Sequence, residues 1–518
     1  MERRKFLKTT GLASLSVPFL FKNNTYAAVT EKLFRIEKSL EDRVLVLIRL
    51  NGGNDGLHTL IPLDYYANLN KQRSNIILPE NKLISITPKN AFHPVMKGMA
   101  DLFQEGKLGI VQNVGYPEQN RSHFRSMDIW TSGSTDIATT TGWLGRNLEI
   151  QHPGFPEAYP DEKHPDPFAI SMGYEVSATC QGLVANFSHT VNNPATYFSA
   201  TTASAVNDGT YYGGHMEFLS TMIAQTNKYG KRIYDLSKDV KNLSTKYDPK
   251  NELATQLKYV AQMIQSGLKT NIYIVNINGF DNHDSQVETN DVTTGKHADL
   301  LKSLSDAIAA FMDDIQLMGL DKRVAGMTFS EFGRQIASNA SFGTDHGDAA
   351  PLFLFGSCLS QPIYGSNPVI SDQIIDQAGI PMAIDFRDVY ASILKDWFQV
   401  PAEDIQKMFS HQIKYHSLMG ACTTSLSEDP FAINKTVVYP NPATNHMNLR
   451  INTFRENVRI SVISMEGKEL MVSHEATFEE QQHTLQIDIQ TLPIGNYVLS
   501  IQKQSGNESI TFQKVKEN

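Results

Sequence analysis

Carboxylate and imidazole side chains recur in the polar loops that adjoin apolar runs of this chain. Five of them are Asp281, His283, Glu331, Asp345 and His346. Carboxylates combined with histidines suit zinc or a harder divalent cation. These residues are therefore candidate metal ligands, although each loop taken alone also fits an ordinary polar turn.

Two further residues have side chains that a metal-assisted reaction needs. Asp55 lies in the segment 51–57, where glycines on both sides let the backbone turn sharply and approach a ligand. Ser122 stands at the predicted start of a helix, where free backbone N–H groups favour an anion. Asp55 is thus a ligand or part of an ordinary turn. Ser122 is a metal-activated nucleophile or a plain N-cap.

These loops are expected to meet at one edge of a sheet. Continuous apolar runs predict buried strands at 44–48, 108–114, 272–277, 324–329 and 351–356. A helix predicted at 298–318 joins two of them, as in a doubly wound, mostly parallel α/β sheet flanked by helices. Such sheets bind ligands beyond the carboxyl ends of their strands. A metal-assisted hydrolase site is therefore predicted there, with Arg334 holding a substrate oxygen.

Residues 143–207 have weak periodicity, and the region 143–270 is interpreted as an insertion or cap together with the helices that follow it. Short strands are predicted at 168–171 and 182–187, and amphipathic helices at 214–243 and 252–268. We assign no chemistry to this region.

Length, charge and cysteine content narrow the class of protein. A chain of 518 residues is too long for one small core, so two or more domains are expected. Its net charge of -9 gives no electrostatic case for a nucleic-acid partner. Three cysteines without a CxxC pair make neither a disulfide framework nor a cysteine zinc site. At most one disulfide can form, and Cys358 adjoins an apolar run, where a buried thiol is the default expectation.

The first residues of the chain have the pattern of an export signal. Residues 1–28 combine a basic start, an apolar stretch too short to span a bilayer, and small residues at the end. The segment Arg3-Arg4-Lys5-Phe6-Leu7-Lys8 is similar to a twin-arginine motif, the alternative being a Sec signal with paired arginines. We therefore expect the twin-arginine translocase as a partner, passage through the periplasm, and no transmembrane segment in the mature chain.

Four segments resemble a family of exported proteins catalogued as domain-of-unknown-function family 1501. They are residues 49–57, 121–124, 330–334 and 343–347, and residues 385–390 also fit. The resemblance covers about residues 40–400, within a predicted α/β domain at 40–415, and implies a branch of the alkaline phosphatase and sulfatase superfamily. It thus implies an alkaline phosphatase-like doubly wound fold.

The same resemblance implies two metal positions bridged by a nucleophile. Asp55, Ser122 and Glu331 would serve one divalent ion, and Asp281, His283 and His346 would serve the other. Zinc is the first expectation, with calcium, manganese or magnesium as alternatives. This chain has Glu331-Phe332 where the superfamily usually has Asp-His.

The C-terminal part has a different pattern. Residues 416–435 are polar and irregular and predict a linker, whereas 436–518 contain short alternating strands typical of a small all-β sandwich. Segments 439–442, 467–470 and 492–499 resemble the type A sorting domain of the type IX secretion system. This resemblance implies the type IX machinery as a partner and an extracellular or outer-membrane surface location.

The sequence therefore favours a secreted, metal-dependent hydrolase of phosphate or sulfate esters, acting on a small-molecule or glycan ester. A surface binding protein that keeps the fold without turnover is the second interpretation. A phosphomutase-type transferase is the third.

The two targeting segments predict two separate points of arrest during export. Replacing Arg3 and Arg4 by lysine should hold the precursor in the cytoplasm, because twin-arginine recognition needs both guanidinium groups. Deleting residues 436–518 should leave the protein in the periplasm. Fractionation and immunoblotting measure both outcomes, and normal surface delivery of the truncated chain would contradict the sorting interpretation.

Overall fold

The computed structural model describes residues 42–196, 208–420, 437–439, 443–452, 457–464, 468–477, 482–503 and 506–516. They form two compact units, one within 1–422 and the other within 423–518. The predicted signal segment at 1–28 and most of the predicted linker at 416–435 lie outside the described residues.

A nine-stranded sheet forms the centre of the larger unit. Its strands are β1 Val44–Asn51, β5 Leu108–Gly115, β6 Ala169–Met172, β7 Ser188–Val191, β8 Ile272–Asn278, β9 Val324–Ser330, β10 Ala350–Gly356, β11 Ile363–Tyr364 and β12 Ile384–Asp385. The spatial order is β11-β5-β10-β9-β1-β8-β6-β7, with β12 also paired to β5. Within this sheet β10 pairs antiparallel with β5 and β9, and the other pairings are parallel. A small separate sheet contains β2 Leu60–Pro62, β3 Ile84–Thr87 and β4 Asn90–Phe92.

Helices cover both faces of the central sheet. They are α1 Gly56–Thr59, α2 Tyr66–Gln72, α3 Lys97–Gln104, α4 His123–Ser132, α5 Trp143–Gln151, α6 Tyr211–Ser237, α7 Glu252–Gln265, α8 Lys296–Leu317, α9 Phe386–Asp396 and α10 Ala402–Met408. Side chains of β1 alternate between two apolar cores, with Val46 and Ile48 in one and Leu45 and Leu47 in the other. The first core includes α3, α7 and α8, and the second includes α4, α5, α9 and α10. The predicted doubly wound, mostly parallel fold is confirmed.

The structure departs from the sequence prediction in the region 143–270. Its strands β6 and β7 extend the central sheet, and the strand predicted at 182–187 is wrong because those residues form a turn closed by a bridge between Gln181 and Asn186. Helix α6 ends at Ser237, before the predicted end, because the backbone N–H groups of Leu243 and Ser244 bind the buried carboxylate of Asp314 instead.

The smaller unit consists of two antiparallel sheets. Its strands are β13 Val437–Tyr439, β14 His446–Asn452, β15 Asn457–Ser464, β16 Glu469–Thr477, β17 Gln482–Asp488, β18 Gly495–Lys503 and β19 Gly506–Lys514. One sheet has the order β13-β14-β17 and the other β16-β15-β18-β19. Leu449 from the first sheet and Ile460 and Leu499 from the second belong to one buried core. The expected all-β sandwich is therefore confirmed.

The cysteines differ from the expectation. Cys358 takes part in a disulfide, so the prediction of a buried free thiol is wrong for it, whereas Cys180 is buried and free. Burial raises the pKa of the Cys180 thiol, which makes this side chain an inert part of the core. Within the described ranges, no helix combines the length and apolar character needed to cross a membrane.

A glycine in β9 leaves room for an aromatic ring of β10. A Cβ atom on Gly326 would lie 1.9 Å from Cζ of the fully buried Phe355. We predict that Gly326→Ala lowers the free energy of unfolding by about 1–3 kcal/mol through overpacking. Gly214→Ala in α6 is the control, because a Cβ there meets no atom within 4 Å and alanine favours a helix by about 1 kcal/mol. Urea unfolding measures both, and equal midpoints for Gly326→Ala and the wild type would contradict the prediction.

Candidate metal centre

Sheet topology brings loops from five strands to one edge. The carboxyl ends of the parallel strands β1, β8 and β9 lie together, and β5 ends at the same edge because it runs antiparallel to β10. For the same reason the segment that precedes β10 arrives there too. This edge therefore carries the loop after each of β1, β5, β8 and β9, and the loop before β10.

Four side chains converge at this edge. They are His123, Asp281, His283 and His346, whose potential ligand atoms all lie within 4.8 Å of one another. Nε2 of His283 is 3.0 Å from Oδ1 of Asp281 and 2.8 Å from Nε2 of His346. Nε2 of His123 is 3.4 Å from Oδ2 of Asp281. Sequence reasoning missed His123, although it directly follows the candidate Ser122 in a loop at the same edge.

Each imidazole is held from outside the cluster by an oxygen atom at Nδ1. The Nδ1 atom of His283 lies 2.7 Å from Oδ1 of Asp345. Nδ1 of His346 lies 2.7 Å from the backbone oxygen of Arg121, and Nδ1 of His123 contacts a carboxylate oxygen of Glu331. Oxygen acceptors at Nδ1 fix the tautomer and direct Nε2 inward, which is the usual support of metal-binding histidines.

These outer contacts leave the facing Nε2 atoms of His283 and His346 without a hydrogen between them. The backbone carbonyl of Arg121 can only accept a hydrogen bond, so Nδ1 of His346 carries a hydrogen atom. In the neutral ring, Nε2 then has a lone pair and no hydrogen. The carboxylate of Asp345 implies the same for His283. Two lone pairs 2.8 Å apart, beside the carboxylate of Asp281, repel one another unless a proton or cation lies between them. The donor set therefore fits a bound cation.

Electrostatics keep Asp281 ionised. Partial burial alone would raise the pKa of this carboxyl, but a hydrogen bond and charge from Arg334, together with His283 and His123, lower it below its usual value. Partial burial is also the main cause that lowers the pKa of His346. A carboxylate and a neutral imidazole are the ligand forms that bind metal.

A buried phenylalanine closes the inner side of the cluster. The Phe332 ring lies 4.5 Å from the ring of His346 and 5.1 Å from that of His123, measured between centroids. Gly53, at φ +83°, leaves room for it, since a Cβ there would lie 2.4 Å from the Phe332 ring. On the outer side, the side chain of Asp281 is 44% exposed, so the cluster opens to solvent.

Ser122 is an exposed residue between two residues that contact the cluster. The backbone oxygen of Arg121 holds His346, and His123 contributes its own ring. Ser122 precedes α4 as its N-cap residue but makes no side-chain capping bond. Its hydroxyl is therefore not committed to helix capping.

Three other expected site residues have different surroundings from those expected. The carboxylate of Asp55 is 2% exposed and accepts hydrogen bonds from Arg73 and Gln286. Burial alone would raise the pKa of Asp55, but Arg73 and two nearby histidines lower it below the usual range. Glu331 and Asp345 contact the outer nitrogens of imidazoles, not the centre of the cluster.

Arg334 is buried and its three nitrogens donate to groups of the protein. Nε and Nη1 bind the backbone oxygens of Gly53 and Thr344, at 2.8 and 2.9 Å. Nη2 binds Oδ1 of Asp281 at 2.8 Å and the backbone oxygens of Gly52 and Phe280. The side chain is 1% exposed, and these bonds hold it against the loops and Asp281. The expected contact to a substrate oxygen stays a prediction.

Two family models match the chain. Residues 216–409 match the family described as "Protein of unknown function (DUF1501)", and residues 437–515 match the "Secretion system C-terminal sorting domain". Both resemblances inferred from the sequence are thereby confirmed. The second match supports secretion to the cell surface or the extracellular space through the type IX machinery. A search of curated proteins gave no match.

Several solved structures are similar to the chain at low identity. The lipoteichoic acid synthase of Listeria monocytogenes is 10% identical, with a TM-score of 0.31 and coverage of 71% of this chain and 75% of that one. An alkaline phosphatase superfamily protein of Vibrio parahaemolyticus is also 10% identical, with a TM-score of 0.30 and coverage of 85% and 82%. A sulfatase from Pseudoalteromonas sp. is 10% identical, with a TM-score of 0.29 and coverage of 88% of this chain and 86% of that one. Scores this low say nothing about activity or substrate.

A second group of histidines lies buried away from the cluster. His58, His93 and His297 are at most 2% exposed. Nδ1 of His58 lies 3.0 Å from Nδ1 of His297, whose Nε2 binds Oδ1 of Asn54 at 3.0 Å. Burial, as the main cause, lowers the pKa of His58 and His297 to about 3 and that of His93 to about 2. All three are therefore neutral in the folded protein at pH 7.

These histidines predict a loss of stability in acid. The unfolded chain binds their protons as the pH falls below about 6.5, whereas the folded chain resists protonation until about pH 2–3. Each histidine therefore lowers the free energy of unfolding by roughly 1.4 kcal/mol per pH unit in that window. Replacing His93 by phenylalanine should flatten the slope between pH 6 and pH 4, as measured by urea unfolding. His215→Phe, at an exposed position of α6, should keep it. An unchanged slope in His93→Phe would show that His93 is not buried neutral.

Proposed function

We propose that the larger unit is a secreted, metal-dependent hydrolase of phosphate or sulfate esters. One observation carries the proposal: three imidazole Nε2 atoms and the Asp281 carboxylate converge, and each Nδ1 is held by an outer oxygen. Without a cation or an additional proton, this arrangement would leave the lone pairs of His283 and His346 facing each other. The solvent-exposed side of the cluster supports access by a substrate.

The donor set indicates which cations fit. Three imidazole nitrogens with one carboxylate suit zinc or a neighbouring transition metal, whereas calcium and magnesium prefer oxygen ligands. His123, Asp281, His283 and His346 would hold the ion, while Glu331 and Asp345 orient two of the imidazoles. This assignment replaces the two-ion scheme with one ion among the described residues.

The adjacent serine supplies the nucleophile in this proposal. A bound divalent cation would favour the deprotonated form of a nearby hydroxyl and stabilise charge on the ester. Ser122 Oγ forms a bond to phosphorus or sulfur while the ester oxygen leaves as an alcohol, which takes up the proton lost by the serine. Water then releases inorganic phosphate or sulfate and restores the hydroxyl. The N-terminus of α4 faces the same negative charge with its free N–H groups.

A non-catalytic, metal-containing binding protein is the second candidate. The specific observation in its favour is the pairing of Asp55 with Arg73, which withholds a carboxylate that the resemblance assigns to a second ion. Arg334 is likewise committed to backbone oxygens.

Metal content tests the ligand assignment separately from catalysis. His123→Ala should lower the zinc bound per chain after dialysis, and His283→Ala and His346→Ala should act in the same direction, because each removes one proposed ligand. His215→Ala on the surface of α6 is the matched control. Asp55→Asn should keep its zinc, since Asp55 is paired elsewhere. Full metal content in His123→Ala would contradict the assignment.

Turnover tests the enzyme assignment. Ser122→Ala should abolish hydrolysis of aryl phosphate or aryl sulfate by the zinc-loaded full chain while leaving metal content and thermal unfolding almost unchanged, because the hydroxyl makes no capping bond. Activity retained in Ser122→Ala would exclude this nucleophile. A metal-loaded wild type that hydrolyses neither ester class would favour the binding protein.

A further inference from the structure

Arg49 lies near the carboxyl end of the central strand β1, at the edge of the sheet that carries the candidate metal centre. Its Cα pairs in register with Phe329 of the parallel strand β9, so both side chains point to the same face. Leu47, two residues earlier, belongs to the apolar core on that face, which also includes residues of α4. Arg49 therefore lies on the face of the sheet that carries this core, two residues before β1 ends at the edge where the candidate metal centre lies.

Arg49 differs from the other arginines whose side chains the structure describes. Arg43, Arg73, Arg121, Arg125, Arg146, Arg232, Arg323, Arg334, Arg387 and Arg459 each donate to a carboxylate or to a backbone oxygen. Arg49 makes no such contact, and its Nε is buried without a partner. The residue as a whole is only partly buried. An unpaired, partly buried guanidinium has lost hydration without gaining a hydrogen bond, which is unfavourable unless a ligand completes the site.

The charged neighbours of Arg49 connect it with the cluster. Burial lowers the pKa of Arg49, and the negative charges of Glu331 and then Glu175 raise it. Glu331 already accepts from the backbone N–H of Gly52 and contacts the ring of His123. Glu331 thus has other hydrogen-bond partners, and Arg49 has none, so its guanidinium remains available for another anion.

We propose that Arg49 binds the tetrahedral oxyanion group of the substrate, a phosphate or a sulfate, beside the metal centre. The inference deepens the proposed function and rests on it. The planar guanidinium offers parallel N–H donors that match two oxygens of such a group. Arg334 and Arg121 are less suited to this contact, because Arg334 already binds backbone oxygens and Arg121 already binds Asp348 and Gln377.

The test uses inorganic phosphate and inorganic sulfate as probes on the zinc-loaded full chain. Isothermal titration calorimetry should show that Arg49→Gln weakens binding of the preferred anion at least tenfold, with Arg49→Lys intermediate because a single ammonium retains the charge. Metal content should equal that of the wild type in both variants. Arg459→Gln, on the exposed surface of the smaller unit, is the control and should bind the anion like the wild type.

Each outcome decides the proposal. Unchanged anion affinity in Arg49→Gln, or no anion binding by the wild type, overturns it. Loss of zinc in Arg49→Gln also overturns it, since Arg49 would then act through Glu331. If Arg49→Gln does not fold, the Arg49→Lys titration decides by the same criterion. Where the wild type hydrolyses esters, Arg49→Gln should raise KM by a similar factor. Weakened anion binding without turnover by the wild type would support the anion site and refute the hydrolase.

Discussion

The guanidinium of Arg334 connects the loops from which the candidate centre is built. It donates to backbone oxygens after β1, at Gly53, after β8, at Phe280, and before β10, at Thr344. The backbone of a loop beyond the end of a strand has no hydrogen-bond partners from a neighbouring strand. Its buried carbonyl groups therefore need other hydrogen-bond donors. One planar cation supplies several of them at once. Its remaining contact, to Asp281, places a carboxylate of the cluster relative to the same three loops.

Positioned loops still have to present their imidazoles in one orientation and one tautomer. The outer oxygens do this for the imidazoles: Glu331 for His123, Asp345 for His283, and a backbone carbonyl for His346. The candidate metal-binding face would therefore depend on the surrounding acceptors as much as on the proposed ligands themselves. The two arginines Arg73 and Arg49 also differ in their partners. Arg73 forms an ion pair with the buried carboxylate of Asp55, whereas Nε of Arg49 has no hydrogen-bond partner. An anionic substrate would meet this remaining positive charge.

The sequence led to most of the central sheet and to part of the cluster. The strands carrying the site were predicted because a continuous apolar run such as 272–277 is typical of a strand covered on both faces. Each such run can be recognised without knowing the rest of the fold. Asp281, His283 and His346 could be proposed from their positions beside those runs. His123 was missed because a histidine after a helix-starting serine has no distinctive signal. Its orientation toward the cluster depends on Glu331, which follows a strand distant in sequence.

Residue types and their order thus determined the α/β class, the sorting domain and the edge at which chemistry is concentrated. Only the tertiary structure separated inward-facing groups from supporting ones. Asp345 and His346 are neighbours in sequence, yet one contacts the outer nitrogen of His283 and the other its inner nitrogen. The physical reason is that a carboxylate or guanidinium acquires its role from its partners. Asp55 with Arg73, and Arg334 with the carbonyls of three loops, have partners that only chain folding brings within hydrogen-bonding distance.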